Sequence, residues 1–189
     1  KPILFWLENT TPIKFREYII EGLLAWNEAF LKAGIKNAIE VKIQPDDAEW
    51  DAGDIRYNVL RWTSSPNAPF GGYGPSFVNP RTGEIIGADI MLEWVYATNR
   101  LTINDIFNSS HLSTECSIGN LMQEGNMMSY LTSLDKDDPE ILKQSIIRLT
   151  LHEVGHTLGL NHNFKASFLH DSKNVHNKEL TQKVGLTGS

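Results

Sequence analysis

The chain has 189 residues, 41% of them hydrophobic and 21% charged, with a formal net charge of −6. Those values describe one globular domain with a sizeable core and exclude a low-complexity or disordered chain. The acidic balance argues against a nucleic-acid partner, the lone Cys116 rules out an internal disulfide, and no apolar run approaches the ~20 residues of a membrane span.

In chain order, Ile3–Leu7 reads as a buried strand. Thr11-Pro12 opens a helix, with Thr11 as N-cap and Pro12 at the first helical position. Phe15, Ile19, Leu23, Trp26 and Phe30 recur at spacings of three and four and form its apolar face, and Gly34 ends it. Ile39, Val41 and Ile43 alternate with Glu40 and Lys42 in a second strand. Asp46–Asp54 is an acidic loop, and Ile55–Trp62 a third strand with Ile55, Tyr57 and Val59 on one face. Thr63–Gly74 is a Gly-, Pro-, Ser- and Asn-rich loop. Pro75–Asn79, the turn Pro80–Gly83 and Glu84–Leu92 form a hairpin. This order predicts an α/β (α+β) fold with a twisted, mostly parallel sheet, one antiparallel edge strand, a backing helix and an active-site helix.

Residues 93–137 sustain no period and read as an irregular insertion with short helices. Met122, Met127 and Met128 within it read as packing residues. Cys116 is either a small buried hydrophobe or an exposed thiol. Asp135, Asp137 and Asp138 read as a solvated acidic turn before a helix N-terminus.

Asp138-Pro139 starts the active-site helix, whose buried face carries Leu142, Ile146 and Leu149. That face runs into His152-Glu153-Val154-Gly155-His156-Thr157-Leu158-Gly159-Leu160-Asn161-His162, a match to H-E-x-x-H-x-x-G-x-x-H. At average residue usage the chance of such a match here is on the order of one in 10^5, so the pattern carries meaning. His152 and His156, four apart, share one helical face and can reach one ion. Glu153 is rotated off the metal, placed to hold the attacking water as general base. Gly159 breaks the helix and lets His162 return as third ligand. Three imidazoles from His152, His156 and His162 leave a fourth position open, the arrangement of a catalytic Zn2+ site. Glu179 is an alternative third ligand, less well spaced than His162. His111, His170 and His176 read as surface or hydrogen-bonded histidines.

At these residues the chain resembles the metzincin clan of zinc metalloproteases. The string His152–Ser167, ending Asn161-His162-Asn163-Phe164-Lys165-Ala166-Ser167, is similar to a large bacterial family of zinc-dependent metalloproteases. Looser likenesses are Asn79-Pro80-Arg81-Thr82-Gly83-Glu84-Ile85 and Glu21-Gly22-Leu23-Leu24-Ala25-Trp26-Asn27-Glu28-Ala29-Phe30. The resemblance implies the upper subdomain of a catalytic domain, a zinc-dependent endopeptidase acting on a peptide or protein substrate, and a periplasmic or extracellular location. By the same analogy the strand before the Arg81–Gly83 turn is the outer edge, able to receive an extended peptide over Tyr73–Asn79. Gly71, Gly72 and Gly74 suit a close backbone approach there, or are ordinary loop glycines. Metzincins carry a methionine turn after the third histidine, and no methionine follows Met128. The expectation is therefore a single domain over 1–189, cut from a longer polypeptide before that turn. Two other readings stand beside the endopeptidase: a degenerate zinc-binding or peptide-binding module without turnover, and a zinc hydrolase of a non-peptide amide.

Overall fold

The computed structural model describes residues 1–65, 70–93, 139–185 and 188. The expectations for residues 94–138, including Cys116, His111, the methionine cluster and the Asp138 cap, lie outside the described residues. The chain forms two compact units, Lys1–Leu158 and Gly159–Ser189.

In the first unit the described strands are β1 (Ile3–Leu7), β2 (Ile39–Ile43), β3 (Asn58–Thr63), β4 (Gly72–Tyr73), β5 (Ser76–Val78) and β6 (Ile85–Glu93). Two long helices accompany them, α1 (Ile13–Lys32) and α2 (Pro139–Thr157). The sheet runs β2-β1-β3-β6-β4, with β5 also on β6. The β1–β2, β1–β3 and β3–β6 pairs are parallel, and β4 and β5 are antiparallel to β6. The mostly parallel sheet with an antiparallel edge is the architecture the element order predicts.

Alternation along each strand sends one set of side chains towards the helices. Phe5, Leu7, Leu60, Ile90 and Leu92 meet Phe15, Ile19 and Leu23 of α1 and Ile146 and Leu149 of α2 in one core. Phe15 stacks on Trp62 with ring centroids 5.1 Å apart. Helix α1 ends as Gly34 predicts: Gly34 adopts φ 87°, its N–H donates to the Leu31 carbonyl, and the Ile35 N–H donates to that of Phe30. These are the paired bonds of a glycine-terminated helix. Beyond it, the Asn27 carboxamide donates to the Ile39 carbonyl and accepts from the Ile39 N–H, both at 2.9 Å, tying the helix to β2.

Three boundaries differ from the sequence reading. Thr11 is not the N-cap of α1; Pro12 occupies that place in an extended conformation, φ −55° and ψ 129°. The Thr11 side chain is buried instead, and Arg16 reaches back to the carbonyls of Thr11 (2.9 Å) and Asn9 (2.7 Å). The third strand begins at Asn58 rather than Ile55. Asp54 turns the chain there, accepting from the Arg56 N–H and side chain through its carboxylate and from the Tyr57 N–H through its main-chain carbonyl. Ile55 is exposed as a result, and Tyr57 stacks on Trp50 at 4.0 Å. Finally, the glycine-rich stretch expected to be loop up to Gly74 contains β4.

That last difference matters most. Gly72 pairs with Leu92, Tyr73 with Met91, Ser76 with Ala88 and Phe77 with Gly87, all in one register. The Glu93 N–H donates to the Gly71 carbonyl and the Asp89 N–H to that of Pro75. β4 and β5 therefore run along β6 in one register and lie, among the described residues, at the edge of the sheet, with a shift only between Phe77 and Val78. Strand alternation turns the main-chain groups of Gly72, Gly74 and Ser76 away from β6. The turn that follows closes with the Asn79 N–H donating to the Glu84 carbonyl and the Gly83 N–H to that of Asn79, both at 2.8 Å.

The second unit contains a short 3-10 helix (Phe164–Phe168) and α3 (Lys178–Val184), capped by the side chains of Asn163 and Asn177. The His170 ring bonds the Gly185 carbonyl at 2.7 Å, so it is the hydrogen-bonded histidine expected, and His176 is exposed.

Candidate metal centre

The end of α2 carries the centre, and α1 holds that end. Lys143 pairs with Glu21 at 3.0 Å. Gly22 lies so close to α2 that a Cβ there would stand 2.8 Å from the Thr150 Cβ. The Trp26 indole N–H donates to the Leu151 carbonyl at 3.1 Å, directly before His152. A helix fixed at successive turns presents its last turn in one orientation.

On that turn the His152 and His156 rings stand edge to face at 86°, their centroids 4.6 Å apart. Their Nε2 atoms are 3.1 Å apart. The helix stops where expected: the Leu158 N–H is shared between the Val154 and Gly155 carbonyls, and Gly159 takes φ 90°. One ligand atom each from His152, His156 and His162 lies within 4.8 Å of the others. Two nitrogens each ~2.0–2.1 Å from a tetrahedral ion stand ~3.3 Å apart, close to the Nε2 separation seen here. An all-nitrogen set of three suits zinc and leaves room for a further ligand. Glu179 is not part of this group.

Glu153 lies on the same turn and is 2% exposed. Its Oε1 is buried and has no hydrogen-bond partner among the described residues. Burial pushes its carboxyl up to about 7, against the opposing pull of His156 and of the Gly74 N–H, which bonds it. A buried carboxyl oxygen without a partner is free to accept a hydrogen bond from a small donor.

The edge strand explains how this group is enclosed. A Cβ at Gly72 would stand 2.7 Å from Glu153 Oε1, and one at Gly74 would overlap the Glu153 main-chain carbonyl. The glycine spacing was visible in the sequence, and at Gly72 and Gly74 the close approach is to α2. Sequence reasoning missed Trp26 as a contact of the metal helix, because its place on the apolar face of α1 marks it only as core.

Residues 134–189 match a family model described as Met-zincin. That stretch carries the three histidines and Glu153, and the match and the geometry together mark the chain as metalloprotease-like with a zinc-type site. Comparison with curated proteins and with solved structures gives no match. No helix among the described residues is long and apolar enough to cross a membrane.

Proposed function

We propose that the protein is a zinc-dependent endopeptidase with Glu153 as its general base. One observation carries this reading: three imidazoles converge on the helical turn that also bears a buried carboxyl with an unpartnered oxygen. His152, His156 and His162 would hold the ion. When bound, zinc supplies Lewis acidity, lowering the pKa of a water and polarising a carbonyl.

The chain's own groups do the rest. Glu153 accepts the proton of the attacking water as the C–O bond forms, and returns it to the amine nitrogen as the C–N bond breaks. The half-buried Ser76 turns its main-chain groups away from β6, where an extended peptide could pair with them as a further strand near the base. The substrate proposed is a peptide or protein, and the metzincin resemblance of the sequence implies a place outside the cytoplasm.

The test is Glu153→Gln. The variant should take up one zinc as the wild type does and lose cleavage of an unstructured protein substrate such as casein by at least ~10^3-fold. Full activity in that variant would remove Glu153 from the reaction. Stoichiometric zinc in a wild-type protein that hydrolyses no peptide would favour a binding module.

A further inference from the structure

The geometry points to Gly72 as the positioning residue that sets where the Glu153 carboxylate stands, a role that rests on the reading of Glu153 as the base. The two edge glycines meet α2 differently. At Gly74 an added Cβ would overlap main-chain atoms of Glu153, so Gly74 sets how closely the strand lies against the helix. At Gly72 the added Cβ would meet side chains instead: Glu153 Oε1 at 2.7 Å, Glu153 Cγ at 3.0 Å and Leu149 Cδ1 at 2.9 Å.

Glu153 has little room to give way. It is 2% exposed, and Leu149, one turn earlier on α2, is 1% exposed. A methyl at residue 72 therefore shifts the carboxylate within a closed space, while the helix backbone that carries His152 and His156 is left alone. The hydrogen atom of Gly72 leaves the carboxylate where it is, and a methyl there would press first on Glu153 Oε1. A base displaced by even part of an ångström acts poorly on a donor held elsewhere.

Gly72→Ala should leave zinc affinity, measured by competition with a chromophoric chelator, within about threefold of wild type. Its kcat should fall at least ~10-fold with KM changed less than about threefold. Gly74→Ala, which presses on the helix backbone, should lower thermal stability and zinc affinity together.

A double-mutant cycle on the metal-free protein reads the contact without any catalysis. Gly72→Ala should lower the thermal midpoint by about 3 °C or more in the wild-type background. In the Glu153→Ala background, where the two closest Glu153 atoms are gone, most of that cost should vanish. The cost of Gly74→Ala should persist in both backgrounds. An undiminished Gly72→Ala cost in the Glu153→Ala background would overturn the proposal, as would an unchanged kcat in Gly72→Ala. A wild type that binds zinc yet cleaves nothing would sink the endopeptidase reading alone, and the cycle would still decide whether Gly72 positions the carboxylate.

Discussion

The indole N–H of Trp26 donates to the main-chain carbonyl of Leu151 across 125 residues of sequence, joining the backing helix to the turn that begins the histidine pattern. That carbonyl lies within α2, so the indole bond supplements the helix's own bonding. Trp26→Phe keeps an aromatic ring in the core and removes the donor. It should cost ~1 kcal/mol, seen as a lower urea midpoint with an unchanged slope.

Gly22 marks the closest approach of the same two helices. Besides the Thr150 Cβ, an added Cβ would stand 3.0 Å from the Ile147 carbonyl oxygen. The neighbour on one side is backbone, so the helices must separate. Gly22→Ala should destabilise the protein by ~1–3 kcal/mol despite alanine's better helix propensity, measured by thermal unfolding.

Removal of a single imidazole tests the metal centre. Partners one shell further from a metal already cost 10–100-fold in affinity, so His162→Ala should weaken zinc binding at least ~100-fold. His176→Ala, an exposed histidine outside the group, should bind zinc as the wild type does. Equal affinities for the two variants in a chelator competition would exclude His162 as a ligand.

Glu93 provides a pH signature away from the metal. Burial acts to raise its carboxyl, but bonds from Ser65 and Thr63 outweigh this and hold it below its ordinary value of 4.5. The Ser65 Oγ stands 2.7 Å from Oε1 and the Ser65 N–H 3.0 Å from Oε2. A depressed folded-state pKa means that the carboxylate's contribution is fully present above pH 4.5 and is lost as pH falls through the folded value. Glu93→Gln should thus be less stable than wild type by ~1–2 kcal/mol at pH 7. The two denaturation midpoints should converge as the pH is lowered below 4.5 and through the folded-state value.

Much of this arrangement was legible because it is periodic or carries a stop signal. The spacing of Phe15, Ile19 and Leu23 gives α1 and its buried face, and Gly34 and Gly159 end helices where positive φ is needed. The H-E-x-x-H-x-x-G-x-x-H spacing brings together three histidines that the structure places within reach of one ion. What escaped was decided by tertiary partners. Ile55 and Tyr57 alternate like strand residues, yet the Asp54–Arg56 ion pair and the Trp50 ring draw them into a turn. Thr11 has the chemistry of a cap, but Pro12 takes that place and the Thr11 side chain is buried. Gly72 looks like loop until β6 and Glu153 are placed beside it.

The alternation of Gly72, Tyr73, Gly74 and Pro75 also constrains the register of the strand. Sliding the edge by one residue would turn Tyr73, with Gly71 or Pro75, down onto α2, where a Cβ meets Glu153. Sliding it by two would bring Phe70 or Ser76 into one of the same two berths. Only one alignment against β6 seats both small residues at once, so the two glycines fix the register of the strand against α2 as well as against β6.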